Sequence, residues 1–156
     1  MKVIVEGSDM TIDFSEMSPP VKGPFNSRAS GTIARVAFKY LTTPHAPITE
    51  GGFRNLRIVC PEGTILSAPP TAPMSWFNMA VVSTIDLVLR AVQPAIPDAI
   101  CAGSADNIGM SHISGIDPRT GRVFQTFAPF LGGWGARPNA DGPSAVVSLV
   151  QGDVRF

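Results

Sequence analysis

Charge is what this sequence has least of. Only 15% of its 156 residues are charged and the formal net charge is zero, against about 25% charged residues in an ordinary soluble domain. No run of Lys and Arg occurs, so the electrostatic footprint of a nucleic-acid binder is missing and no nucleic-acid partner is expected. Long apolar runs are missing too. The greasiest stretch, residues 76–92, is interrupted by Asp86 and Arg90, which argues against a membrane span or membrane partner. The N-terminal MKVIVEGSDM has one lysine and no apolar segment of signal-peptide length. There are two cysteines, Cys60 and Cys101, without CxxC spacing. They read as buried free thiols in a reducing cytoplasm rather than as a disulfide or metal pair.

The two histidines, His45 in the proline-flanked loop TPHAP and His112 in the Ser-rich loop GMSHISG, stand in no HxH, HxxxH or HxxE pattern. A metal site built by this chain alone is therefore not expected. No GxSxG elbow, no P-loop and no strand–GxGxxG–helix unit is present. Whatever this chain does, it carries no self-contained catalytic motif.

What remains is informative. Mean hydropathy is +0.20, and arginines outnumber lysines nine to three. Interface cores are poor in charge, rich in Arg and poor in Lys, and a free-standing monomer of this size needs more charged surface. The chain is expected to live packed against partner protein, as one domain spanning residues 1–156.

Residues 2–6 (KVIVE) and 10–14 (MTIDF), joined by Gly7-Ser8-Asp9, have hairpin spacing. After a Pro/Gly connector, Asn26 and Ser27 are N-cap candidates for a helix over 28–42, where Ile33, Ala34, Ala37, Phe38 and Leu41 recur at helical spacing. Residues 54–60 read as a strand, and a proline-broken loop spans 68–74. A second helix is predicted over 75–93, capped by Ser75 and ended by Pro94. Its polar residues Ser83, Asp86, Arg90 and Gln93 form one narrow stripe, with Asp86 and Arg90 placed for an i,i+4 pair, so the helix should be largely buried with a slim wet face. Short strands are expected at 99–102, 122–128 and 145–150. Interleaved strands and helices make the fold class α/β or α+β, a mixed sheet with two main helices.

Two Gly-rich stretches could hold a ligand: 102–109 (AGSADNIG) and 132–142 (GGWGARPNADG). Either could present backbone N–H groups to an anion, and either could be a tight turn between close-packed strands. The second also offers chemistry. Arg137 and Asp141 can recognise a planar polar group or pair with each other. Gly132, Gly133, Trp134 and Gly135 would line the approach. A ligand wall, a subunit contact and plain turn chemistry all fit this stretch.

The ordered series VEGSDMTIDFS, GPFNS, GGFRNLRIVCPEGTIL, ICAGS and GGWGARPNADGPSA resembles the hydantoinase B/oxoprolinase family, which includes subunits of acetone and acetophenone carboxylases. The PEGTIL turn and the GGWGAR…DG stretch are its most specific pieces. The sequence departs from the family pattern at Ser67 and at Thr49-Glu50, where an Asn is common. Family subunits are several times longer, so the resemblance implies a central slice of one, as a split-gene product or a fragment. It implies a hetero-oligomer with an ATP-using, hydantoinase A-like subunit and with the remaining portions of the B-type subunit. The implied reaction is hydrolysis of cyclic amides such as hydantoins, lactams or 5-oxoproline. The alternatives are ATP-dependent carboxylation of a ketone and a non-catalytic structural role. The resemblance puts ATP and a divalent metal on the partner portions. Arg137 and Asp141 are the expected catalytic pair, with Gly132, Gly133, Trp134 and Gly135 against the substrate.

Overall fold

A computed structural model describes residues 1–28, 30–75, 77–104, 109–130 and 132–144. Its first two strands, β1 (Lys2–Glu6) and β2 (Asp9–Asp13), form the expected antiparallel hairpin, with Glu6 opposite Asp9. The turn needs Gly7, whose φ of 62° lies in the left-handed region that a side chain disfavours. Helix α1 (Ser30–Thr42) follows, and strand β3 (Leu56–Val59) then lies parallel to β2, with Ile12 opposite Ile58. The result is a mixed three-stranded sheet in the order β1-β2-β3. A parallel pair requires a long crossover, which α1 supplies.

Helix α2 (Phe77–Val92) packs against α1, and α1 packs against β3. The core lies between them. Ile12 and Phe14 come from the sheet, Ala34 and Ala37 from α1, and Ile85, Val88 and Leu89 from α2. The two alanines let the helices approach closely. Ile12, Phe14 and Val88 are fully buried, each worth about 1.5–3 kcal/mol of transfer free energy. Close approach recurs at Gly31, where an added Cβ would lie 2.8 Å from Cys60 Cβ. No described helix is long and apolar enough to cross a membrane.

Several expectations need correction. Asn26 is not a helix cap. Its fully buried side chain accepts from the Val21 N–H and donates to the carbonyls of Val21, Gly23 and Pro73. It therefore ties the Pro/Gly connector to the proline-rich loop. Ser27 uses its backbone to pair with Ile65 and Ala68 instead of capping. The stripe on α2 is not uniformly wet either. Arg90 is exposed, but Asp86 is only 6% exposed, and Leu87 faces solvent instead.

Residues 97–99 form a 3-10 turn begun by Pro97, where a strand over 99–102 is expected from sequence. His112 lies in strand β4 (Gly109–Ile116) and not in a loop. Strand β5 (Val123–Phe130) covers the strand expected at 122–128 and pairs with β4 as a separate antiparallel hairpin. The strand expected at 145–150 lies outside the described residues.

Candidate functional site

The Trp134 stretch runs between two other pieces of chain. Gly135 N–H donates to Gly103 O at 2.6 Å, and Ala102 N–H donates to Ala136 O at 2.9 Å. On its other side Trp134 N–H donates to Pro143 O at 3.0 Å, with Gly133 bridged to Ser144. The glycines make this sandwich possible. A Cβ on Gly135 would stand 2.8 Å from Ala102 Cβ, and one on Gly142 would overlap the Trp134 carbonyl oxygen. Pro138 and Asn139 turn the chain, and Arg137 N–H closes that turn on Ala140 O at 2.8 Å.

Trp134 lines a small cleft together with Tyr40 of α1, Val82, Ile85, Asp86 and Leu89 of α2, and Cys101 and Ser104. The cleft has one buried carboxylate. Asp86 Oδ2 pairs with Arg90 Nε at 2.5 Å, while Oδ1 accepts from Ser104 N–H at 3.3 Å. Gly103 lies against this pair with φ 133°, and a Cβ there would meet Arg90 Nη2 at 3.2 Å. Thus the i,i+4 pair legible in α2 also fastens the 101–104 segment on which the Trp134 stretch lies.

Arg137 is exposed and its Nη2 donates to the Tyr40 hydroxyl at 3.0 Å, which in turn donates to Ala99 O at 3.4 Å. Asp141 is exposed, with no hydrogen bond or ion pair among the described residues. The two expected catalytic residues are thus separated by the turn and are not paired with each other. Gly132 is exposed, whereas Gly133, Trp134 and Gly135 are half-buried. Sequence reasoning missed Tyr40, whereas Ser104 falls in the Gly-rich stretch 102–109 and Cys101 is the buried thiol expected from sequence. Tyr40 had one available signal, being the only tyrosine in the chain.

The space itself is small, about 20 Å³, room for about one water. Small-molecule sites run to about 300–1,000 Å³. On its own the cleft is too small for such a ligand. A second, open depression of about 370 Å³ is lined by Arg28, Thr32, Arg35, Cys60 and Ser67, among others. Arg35 also borders a neighbouring depression, where it pairs with Glu50 at 3.2 Å and sits over the Phe53 ring. Burial pushes the Cys60 thiol up from its ordinary value, so it is a poor nucleophile at neutral pH. Both cysteines are free thiols. Among the described residues no three His, Cys, Asp or Glu side chains come together.

The chain is 28% identical over 158 residues to a putative D-/L-hydantoinase B-type chain of Pseudomonas sp. (strain NS671), across 94% of this chain and 26% of that one. It is 30% identical over 114 residues to an uncharacterized protein of Methanocaldococcus jannaschii, across 69% of this chain and 20% of the relative. Among solved structures, nucleotide-free acetone carboxylase shares the fold, with a TM-score of 0.74 at 17% identity over 94% of this chain and 21% of that chain. The chain thus spans about a fifth to a quarter of the length of these relatives. The model of the family described as hydantoinase B/oxoprolinase matches residues 1–156, and the chain belongs to that family.

Proposed function

We propose that this chain is one part of a hydantoinase/oxoprolinase-type amidohydrolase that opens cyclic amides, working with an ATP-using, hydantoinase A-like partner. The observation that carries the reading is the family match over the whole chain, joined to a Trp134 cleft too small to hold a substrate by itself. The catalytic unit is the assembly. In this reading ATP and a divalent metal are held by its other portions.

Within that assembly Arg137 presents its remaining guanidinium N–H groups to a carbonyl or anionic oxygen of the substrate. A planar fork suits such a group better than a point charge does. Tyr40 holds the guanidinium in place as a positioning residue. Asp141, unpaired among the described residues, accepts from a ring N–H. The alternating Gly132, Gly133, Trp134 and Gly135 supply a flat wall along which the ring lies.

A second reading, ATP-dependent carboxylation of a ketone, is supported by the fold shared with acetone carboxylase. One experiment separates the readings. The purified assembly is given hydantoin, 5-oxoproline or acetone with bicarbonate, each with and without ATP, and products are identified by mass. Ring-opened acids support hydrolysis, carboxylated ketone supports the second reading, and no product supports a purely structural role.

A further inference from the structure

The β4–β5 hairpin exposes apolar side chains on both of its faces, beside the polar pair Ser114 and Gln125. Directly opposed residues of an antiparallel pair share a face, and successive residues alternate. His112 opposite Phe127 and Ile116 opposite Val123 therefore lie on one face. Ile113 opposite Thr126 and Gly115 opposite Phe124 lie on the other. On the first face Ile116, Val123 and Phe127 are all exposed, Val123 to 80%. On the second, Ile113 and Phe124 are exposed. Neither strand, GMSHISGI or VFQTFAPF, contains a charged residue.

The tip is different. Asp117 pairs with Arg119 at 3.2 Å and closes the turn by donating its N–H to Arg122 O at 2.9 Å, with Gly121 at φ 66°. A charged, self-paired tip thus crowns two strands without charge. Isolated two-stranded hairpins are marginal in water. Exposed edges are ordinarily blunted by lysines or inward charges, which these strands lack.

We infer that the hairpin is an arm gripped on both faces by the rest of a hydantoinase B-type polypeptide. The occupant follows from length: about three-quarters to four-fifths of the relatives' chains lie outside the matched part. Exposed apolar side chains on both faces also argue against a second copy of this chain, since a two-fold contact through one face would leave the other in water. The inference rests on the assembly reading for the identity of the occupant, but not on the reaction.

The test places the photo-crosslinking amino acid p-benzoylphenylalanine at Phe127, at Phe124 on the opposite face, and at Arg119 on the tip as a control. The whole assembly is irradiated and adducts are mapped by peptide mass. Adducts from both faces to the remaining B-type polypeptide, with none above background at Arg119, are expected. Adducts to a second copy or to the A-type polypeptide would overturn the inference, as would adducts from one face only or from neither. Ring-opening assays on the same assembly report separately on the reaction, so either proposal can fail alone.

Discussion

The Arg137 guanidinium and the Tyr40 hydroxyl meet at 3.0 Å although 97 positions separate them in sequence. That bond attaches the loop after Trp134 to helix α1, and the same hydroxyl reaches the Ala99 carbonyl. Tyr40→Phe keeps the ring and removes both bonds. It should cost about 0.5–1.5 kcal/mol, the net worth of a typical hydrogen bond. Urea unfolding checks this, with the slope unchanged and only the midpoint lowered.

Asp86 is a fastener. Asp86→Ala should leave the Ser104 N–H without its carboxylate and cost about 1–3 kcal/mol. The Arg90 side chain is 60% exposed, so its lost pairing adds little. Leu87→Ala, on the exposed side of α2, should change stability by well under that. Equal losses in the same unfolding experiment would mean that the faces of α2 are misassigned.

Close approach at Gly135 gives a sharper prediction. Gly135→Ala brings a methyl to 3.0 Å from the Ala102 carbonyl carbon, and backbone cannot swing away as a side chain can. Overpacking of this kind costs about 1–3 kcal/mol. Faster hydrogen exchange at the Gly135 and Ala102 amides should accompany it.

The elements were more legible than their surroundings. The β1–β2 turn announces itself through Gly7, α1 through the spacing of Ala34, Ala37 and Phe38, and α2 through its long apolar run. Strand β4 was hidden, because Gly109, Ser111, Ser114 and Gly115 read locally as loop. Its strand state comes from pairing with β5, which is a tertiary cause. For the same reason the i,i+4 pairing of Asp86 with Arg90 could be read, but its burial under residues 101–104 could not. Of the candidate site, the Trp134 stretch stood out by composition. The Tyr40 contact to Arg137 depends on a fold no local pattern encodes.

Acid should weaken two exposed ion pairs. The Lys2 ammonium holds Glu16 below its ordinary 4.5, and the Arg119 guanidinium holds Asp117 below 3.8. Lowered folded-state values mean a contribution fully present above the ordinary values and lost as pH falls through the depressed ones. Melting temperature should therefore drop across that acid range, and less so at high salt because both pairs are exposed. Asp117→Asn should flatten its share of the profile. A steeper profile for this variant would reverse the sign and contradict the assignment.

The most direct test of the proposed wall is turnover per assembled complex for Arg137→Lys against the unaltered protein, with a cyclic amide as substrate. Lysine keeps the charge and loses the planar fork. The account predicts lower turnover, with the amount of assembly and its melting temperature nearly unchanged. Unchanged turnover in a normally assembled complex, or activity that falls only in proportion to lost assembly, would contradict it.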